Sequence, residues 1–208
     1  MRALTWNLYH GRSPKPAGTS LLDDFAAALA AWEWDVALLQ EVPPWWPPKL
    51  AAAARANERH VLTSRNFGLP IRRAISERNP DILKANGGGA NAILVRGEIL
   101  DHATQRLTWW PERRYAHAVR TRHGWIVNLH ASTHRDEWAR RDVERARARF
   151  PDATLFGGDL NLRGRPELAG YTWLGGNHVD HLYGHGAATF EVLERGRLSD
   201  HPPVRVSL

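Results

Sequence analysis

Short apolar runs that end at a polar side chain recur along the chain. Four such runs cover residues 2–6, 35–40, 125–129 and 153–156. Runs of this length predict buried β-strands, and the prolines at 43–44 end the second of them. The polar residues that follow the runs are Asn7, Glu41, His130 and Asp159. Because strand ends are where a sheet presents a site to solvent, we expect these side chains to carry the function.

The segment Gly158-Asp159-Leu160-Asn161 carries the most informative pair of polar side chains. Glycines at 157 and 158 predict a sharp turn where the strand ends. Because side chains alternate along an extended chain, Asp159 and Asn161 are expected to point in the same direction. A carboxylate beside an amide can hold a water molecule or a phosphate oxygen.

Helices are predicted between the strands. Ser20 and Asp23 resemble a capping box, and apolar side chains follow at positions 22, 25, 29 and 32. Thr133 and Asp136 repeat the capping pattern before apolar positions 139, 143, 146 and 150. Proline and glycine predict loops at 13–18, 43–48, 79–80 and 86–89. Short strands separated by two or three helices indicate two packed sheets with helices outside.

The composition of the chain narrows the class of protein. With 208 residues and 43% hydrophobic positions, one globular domain spanning residues 1–208 is expected. The sequence lacks an apolar stretch long enough for a membrane span, and it enters a predicted strand at once, so we expect a cytoplasmic protein. We also expect a monomer. The absence of cysteine excludes disulfides, thiolate catalysis and cysteine-ligated zinc.

The charge of the chain is strongly positive. The net charge is +6, from 28 lysines and arginines against 22 acidic residues. Such an excess suggests an anionic partner such as a nucleic acid. The lysines are only Lys15, Lys49 and Lys84, and an arginine-rich, alanine-rich composition is also what a GC-rich genome produces. Both explanations remain open at the level of the sequence.

Six short motifs occur in an order that is typical of one superfamily. They are Trp6-Asn7, Gln40-Glu41, Asn128-Leu129-His130, Gly158-Asp159-Leu160-Asn161, Asp180 and Ser199-Asp200-His201. In this order they resemble the motifs of the endonuclease/exonuclease/phosphatase superfamily, which has the DNase I-like fold. Residues 89–94 resemble a further strand of that family, and Arg114 resembles its phosphate-contacting arginine. The resemblance implies an α/β protein, a four-layer α/β/β/α sandwich of two packed mixed β-sheets.

The resemblance also implies a metal-dependent site. Glu41 is the expected direct ligand of Mg²⁺, with Mn²⁺ as the alternative ion, because hard cations prefer oxygen ligands. Asn7 and Asp200 are expected beside the same ion, directly or through water. The first motif of the superfamily often carries a second acid two residues after the asparagine, where this chain has Tyr9. The sequence therefore leaves open whether one or two ions bind.

The other matched residues are expected to act on the phosphate and the water. Asp159 would orient or deprotonate the attacking water, and Asn161 would hold water or phosphate. Asp180 would fix the tautomer of His201, whose charged imidazole would contact the phosphate. His130 is the candidate general acid or second phosphate contact. Arg114 completes the expected substrate-binding set.

Two further features allow other interpretations. Six histidines offer a zinc alternative, although the helical His-Glu-x-x-His pattern is absent: His130, His134, His178, His181, His185 and His201. The pairs Trp45-Trp46 and Trp109-Trp110 are each expected to place one indole in the core. The second indole of each pair would stack a base, lie at a lipid interface or, as the favoured interpretation, pack in the core as well.

These observations favour an Mg²⁺-dependent phosphodiesterase, with a nuclease acting on DNA or RNA as the leading interpretation. A phosphatase or phospholipid phosphodiesterase of the same superfamily is the first alternative, with a phosphorylated small molecule as its substrate. A non-catalytic nucleic-acid-binding module is the alternative of another class. Fold alone does not choose among these activities.

Overall fold

Twelve β-strands and five α-helices make up the computed structural model, which describes residues 1–64, 66–83 and 89–208. The strands are β1 (Arg2–Asn7), β2 (Val36–Val42), β3 (Asn57–Leu62), β4 (Ala90–Val95), β5 (Asp101–Thr108), β6 (Arg114–Thr121), β7 (Gly124–His130), β8 (Leu155–Asp159), β9 (Thr172–Asn177), β10 (Asp180–Gly184), β11 (Thr189–Val192) and β12 (Val204–Ser207). The helices are α1 (Leu22–Ala31), α2 (Pro47–Ala53), α3 (Leu69–Arg78), α4 (Pro80–Leu83) and α5 (Asp136–Arg149), and a short 3₁₀ turn spans Tyr9–Gly11.

The strands form two mixed sheets of six. The first sheet has the order β11-β12-β1-β2-β4-β3, and the second has the order β5-β6-β7-β8-β10-β9. Each sheet has one parallel pair, β1 with β2 and β7 with β8, and its other described pairs are antiparallel. A helix connects the strands of each parallel pair, α1 in the first sheet and α5 in the second. The two sheets therefore share a common plan.

Three apolar layers show how the sheets and helices stack. Leu38 of the first sheet and Ile126 and Leu155 of the second belong to one buried cluster between the sheets. Alternate residues of the same strands face outward, where Trp6 packs in a cluster with α1 and Phe156 in a cluster with α5. This alternation confirms the predicted four-layer α/β/β/α sandwich. Among the described residues, no helix is long and apolar enough to cross a membrane.

Both predicted helices form, but neither predicted cap does. Helix α1 begins after Leu21 and α5 begins after Arg135, so neither Ser20 nor Thr133 is the N-cap residue. Ser20 Oγ accepts only a long hydrogen bond from the Leu22 N–H, at 3.4 Å. The segment 43–48, predicted as a loop, already enters α2 at Pro47, because proline is well tolerated in the first turn of a helix. The predicted turn at 86–88 lies outside the described residues.

The glycines at 157 and 158 do not make the predicted turn, because β8 runs straight through both of them. A Cβ atom on Gly158 would lie 2.1 Å from the carbonyl oxygen of Leu129, and one on Gly157 would lie 2.3 Å from that of His181. Gly158 also has a φ of +129°, a value that side chains disfavour. These positions therefore need glycine for close approach of the neighbouring strands.

The two tryptophan pairs differ from each other. Trp46 is 3% exposed and packs in the core beside α1, as predicted for one member of its pair. Trp109 and Trp110 are 62% and 79% exposed, so the prediction that this pair packs in the core is wrong. Both follow the last residue of β5, at the end of the sandwich, where neither sheet covers them.

Candidate active site

Strand register brings three predicted site residues into one row at the end of the second sheet. His130 on β7 pairs with Asp159 on β8, and Asp159 pairs with Asp180 on β10. Neighbouring strands lie about 4.8 Å apart, so their side chains come within contact range. His130 Nε2 lies 3.5 Å from Asp159 Oδ2, and all three residues are buried.

The first sheet contributes two more of the predicted residues at the ends of its parallel strands. Asn7 Nδ2 donates a hydrogen bond to Asp159 Oδ2 at 2.9 Å. Glu41 lies in an irregularity of β2 with a φ of +51°, and bulges of this kind re-aim side chains. Its Oε1 atom is 3.9 Å from His130 Nδ1. The two sheets thus meet across one polar site.

An acid–imidazole pair stands at the other side of Asp159. Asp180 Oδ2 and His201 Nδ1 are 2.7 Å apart. The segment that carries His201 is fastened to β1, because Ser199 Oγ donates to the Asn7 carbonyl at 2.7 Å and Trp6 Nε1 donates to the His201 carbonyl at 2.9 Å. These bonds fix where the imidazole enters the site.

Asn161 lies beyond the end of β8 rather than on it. Its φ is +51°, and its backbone N–H donates to Asp159 Oδ1 at 3.0 Å. Its Nδ2 atom donates to the Ala131 carbonyl at 3.0 Å. Strand alternation, from which the common direction of the two side chains was predicted, therefore does not extend to Asn161, since the chain turns between them.

Asp200 and Arg114 lie at the margins of this group. Asp200 is exposed, and its Oδ1 is 3.9 Å from His201 Nε2. Arg114 opens β6, is 8% exposed and forms an ion pair with Glu112. The sequence analysis missed Glu112, although its position two residues before Arg114 is a usable signal.

A cavity of about 140 Å³ opens beside Glu41, Arg114 and His130. Its wall includes His10, whose Nε2 lies 3.1 Å from Glu41 Oε2. The sequence analysis missed His10, because only the 3₁₀ turn after β1 carries it to Glu41. A larger cavity of about 500 Å³ beside Trp45 contains none of the predicted site residues.

Burial and neighbouring charges shift the pKa values of the ionisable groups of the site in different directions. Burial raises the pKa of Asp159 to about 7, and the carboxylate of Asp180 adds to the rise. Burial lowers the pKa of His201, but the hydrogen bond and charge of Asp180 outweigh it and raise that pKa to about 9. Burial lowers the pKa of His130 well below its usual range, and nearby Arg114 lowers it further. His201 is therefore charged and His130 neutral at pH 7.

The donor set of the site suits a hard divalent cation. Asp159, Asp180 and His201 are the one group among the described residues whose candidate ligand atoms lie within 4.8 Å of one another. The charged imidazole of His201 has no lone pair for a metal, so the carboxylates are the donors of this group. The buried Oδ1 of Asp180 has no hydrogen-bond partner. Glu41 and Asn7 add oxygen atoms nearby, and carboxylate and amide oxygens are ligands that Mg²⁺ and Mn²⁺ accept.

The alternative zinc cluster of six histidines is not assembled in the described part of the chain. His181 Nε2 instead lies 2.8 Å from the Leu162 carbonyl. His185 stacks on Tyr171, with ring centroids 5.3 Å apart. These histidines are used in packing and hydrogen bonding away from a common centre.

A buried polar network joins the two sheets behind the site. Gln40 Nε2 donates to Asn128 Oδ1 at 2.8 Å and lies 3.2 Å from Thr5 Oγ1. Asn128 Nδ2 in turn donates to the carbonyls of Leu39 and Ala92 at 3.0 and 2.9 Å. Gln40 precedes Glu41, and Asn128 lies two residues before His130. The network therefore holds the two strand ends at a fixed separation.

A two-sheet sandwich with a row of acids and histidines at its strand ends is an arrangement suited to phosphoester hydrolysis. The chain belongs to the Endonuclease/Exonuclease/phosphatase family, whose sequence model matches residues 4–201. The match confirms the resemblance seen in the six motifs and covers nearly the whole chain. No curated protein matches the sequence significantly.

Solved structures share the fold at low sequence identity. Truncated TDP2 from Caenorhabditis elegans is 17% identical with a TM-score of 0.65, over 99% of this chain and 95% of that one. The mannosyl-6-phosphatase Bt3783 from Bacteroides thetaiotaomicron is 13% identical with a TM-score of 0.62, over 100% and 98%. A functionally unknown conserved protein from Enterococcus faecalis is 15% identical with a TM-score of 0.66, over 100% and 98%.

Proposed function

We propose that the protein is an Mg²⁺-dependent phosphodiesterase that acts as a nuclease on DNA or RNA. One observation carries the proposal: the register that sets His130, Asp159 and Asp180 side by side, with His201 bonded to Asp180. Binding alone does not require an acid of raised pKa that lies between a neutral imidazole, His130, and a charged one, His201. Hydrolysis of a phosphate ester does, because it needs a base for water and donors for the phosphate.

Asp159 is the proposed base for the attacking water. A base works best when its pKa is near the working pH, and burial raises the pKa of Asp159 to about 7. The amide of Asn7 and the backbone N–H of Asn161 hold its two oxygen atoms. The carboxylate is thereby oriented before substrate arrives, and the Asn161 amide stays beside the water.

The two histidines take different roles on the phosphate. His201 is charged at neutral pH, since its pKa is raised to about 9, and it donates an N–H to a phosphate oxygen. His130 is neutral, because burial lowers its pKa, and this supports a phosphate contact rather than a general acid. Arg114, which shares the cavity with His130, supplies a further positive charge.

The metal would be held by Glu41 and Asn7, with Asp200 reaching it directly or through water. When bound, a divalent ion would neutralise phosphate charge and polarise the ester for attack. The crowding of carboxylates supports a cation here, because the negative charges of Asp180 and Glu41 both raise the pKa of Asp159. Glu41 supplies the carboxylate that hard cations prefer.

A substrate panel tests the proposed activity. Plasmid, single-stranded DNA, RNA, bis-p-nitrophenyl phosphate and p-nitrophenyl phosphate are incubated with the protein, with Mg²⁺ and with excess EDTA. Cleavage of the diesters and the nucleic acids in Mg²⁺ supports the proposal. Hydrolysis of the monoester alone would instead favour the phosphatase alternative, in line with the phosphatase among the proteins of similar fold.

Removal of the metal is expected to abolish turnover of bis-p-nitrophenyl phosphate, and Mg²⁺ or Mn²⁺ is expected to restore it. Glu41→Gln should raise the metal concentration needed for half-maximal rate by at least tenfold, because it removes the ligand's charge and keeps its shape. Glu98→Gln, an exposed acid at the other end of the sandwich, serves as the matched control. Full activity in excess EDTA would contradict the metal requirement.

Salt dependence is expected to separate a nuclease from a phosphatase. Binding of an Asp159→Asn variant to a duplex of about twenty base pairs should fall with salt, with a slope of about −0.9 per neutralised phosphate. Several such contacts would weaken binding about 10³-fold between 50 and 200 mM salt. A small phosphomonoester touches few cations and should show a shallow slope. A flat slope on the duplex would mean that the +6 charge does not serve the binding of duplex nucleic acid.

We further propose that residues 1–208 act as one catalytic domain, as a monomer in the cytoplasm. The shared polar network between the two sheets supports a single folding unit. Size-exclusion chromatography with light scattering tests the monomer, since a larger mass at micromolar concentration would contradict it.

A further inference from the structure

The exposed indoles of Trp109 and Trp110 have no role in the hydrolytic site described above. They are 62% and 79% exposed, which is unusual for the largest apolar side chains of a protein. They lie in the short connection from β5 to β6, and Arg114 is the first residue of β6. Large exposed apolar groups beside a functional site indicate contact with a partner or substrate.

The connection that carries the two indoles is anchored at both ends. Before it, the hydroxyl of Thr108 donates to the buried Asp142 at 2.7 Å. After it, Arg113 donates from its backbone N–H to the hydroxyl of Ser64 and from Nη2 to the Thr63 carbonyl, the latter at 3.3 Å. The indoles are therefore displayed on a fixed support, and their exposure does not come from a frayed end.

Guanidinium groups lie against the first indole. The Arg106 and Arg113 guanidinium carbons are 5.3 and 5.7 Å from the ring centroid of Trp109. The neighbouring segment that follows β3 repeats the arrangement, because Arg72 lies 4.1 Å from the ring of Phe67, which is 76% exposed. Phe67, Trp109 and Trp110 thus form an aromatic rim in which ring faces alternate with guanidinium groups.

The rim lies at the same end of the sandwich as the proposed active site. Arg113 and Arg114, which follow the indoles, line the cavity that also contains Glu41 and His130. Trp110 is four residues from Arg114, so the two are at most about 14 Å apart along the chain. A single strand is therefore long enough to place a base on the indoles and a phosphate at Arg114 at the same time.

We propose that Trp109 and Trp110 form a stacking surface for the bases of a single-stranded nucleic acid whose scissile phosphate lies at Arg114. Bases stack on aromatic side chains while neighbouring arginines meet the backbone phosphates, and this combination is what single strands require. In a duplex the bases already stack on each other, so the surface selects unpaired nucleotides. The proposal rests on the proposed nuclease function and narrows its substrate class.

The experiment compares two oligonucleotides of equal charge on proteins that carry Asp159→Asn to prevent cleavage. One is a fluorescein-labelled twelve-residue oligothymidylate, and the other is the same backbone with abasic sites throughout. Fluorescence anisotropy at low salt gives both affinities. With both indoles present, the thymidylate should bind about 5- to 150-fold more tightly for each stacked base.

Removing the indoles should affect only the contribution of the bases. Trp109→Ala/Trp110→Ala is expected to bring the ratio of the two affinities close to one, and Trp109→Phe/Trp110→Phe to preserve most of it. Phe190→Ala is the matched control, because Phe190 is 45% exposed on β11, at the other edge of the first sheet. It should leave the ratio unchanged.

Three results would overturn the proposal. They are an unchanged ratio in the double alanine variant, no binding of either oligonucleotide at low salt, and indole-dependent binding to vesicles of mixed neutral and anionic phospholipid without base-dependent binding. The nuclease function is judged separately, by cleavage with the unmodified protein. Cleavage of oligonucleotides with an unchanged affinity ratio would remove the stacking surface and leave the activity standing.

Discussion

Asp159→Asn is expected to lower kcat on bis-p-nitrophenyl phosphate by about 10²- to 10⁴-fold while the protein stays folded. Asparagine keeps the shape of the side chain but cannot take a proton from water. Asp159 ends β8 and touches polar partners, Asn7 and Asn161, rather than the apolar layers. Steady-state rates with matching circular dichroism check the result, and a rate within threefold of the unmodified protein would contradict the role of Asp159.

The same substitution carries a second expectation, for stability. Burial raises the pKa of Asp159 to about 7, so the folded state binds more protons than the unfolded state between pH 4 and pH 7. Ionisation of the buried carboxyl therefore destabilises the fold increasingly as the pH rises through this window. The loss of stability is complete above pH 7. Asp159→Asn removes that cost, as functional groups often oppose stability.

Thermal unfolding in EDTA measures this effect. The melting temperature of Asp159→Asn relative to the unmodified protein should be higher at pH 8 than at pH 5. Asp152→Asn, at an exposed position before β8, is the matched control and should show no such change. The melting temperature of the variant minus that of the unmodified protein is the quantity to compare. If this difference is smaller at pH 8 than at pH 5, the buried charge of Asp159 does not destabilise the fold.

His201→Ala is expected to lower kcat/KM by about 10²- to 10⁴-fold, because it removes the charged donor to the phosphate. Asp180 acts through His201, which it holds by the 2.7 Å hydrogen bond. The double variant His201→Ala/Asp180→Ala should therefore be little worse than His201→Ala alone, since residues that act as a unit are not additive. Fully additive losses would show that Asp180 acts independently.

The pH dependence of kcat/KM is a second test of the Asp180–His201 pair. The raised pKa of His201, about 9, predicts a fall in activity as the pH rises through 9 and the imidazole loses its charge. Asp180→Asn weakens the hydrogen bond and charge that raise this pKa, so the alkaline limb should move to lower pH. His123→Ala, at an exposed histidine between β6 and β7, should leave the limb in place.

The charged imidazole also links pH to stability. A folded pKa above the usual 6.5 means that His201 stabilises the fold fully below pH 6.5, and that this contribution is lost as the pH rises to 9. The window for His201 lies above the window for Asp159. The contribution of these two groups to stability in EDTA is therefore expected to fall across both windows, from pH 4 to pH 9.

The layers of the fold and the chain order of the site could be predicted from the amino-acid pattern alone. The apolar run 36–39 is short, continuous and bounded by Asp35 and Gln40, and it forms part of the buried strand β2. Helices α1 and α5 follow from the period of their apolar positions. These features depend on local periodicity, which is written along the chain itself. The order of the six motifs was enough to indicate the family.

Which side chains touch and which face solvent depends on the packing of the two sheets. Position 158 requires glycine because the Leu129 carbonyl of the neighbouring strand lies against it. His10 reaches Glu41 through a turn that periodicity does not predict. The pair Trp109-Trp110 was expected in the core, yet it lies where neither sheet extends. Contacts between residues distant along the chain depend on strand register and on how two sheets meet. Local sequence patterns specify neither, so the geometry of the site is a property of the assembled sandwich.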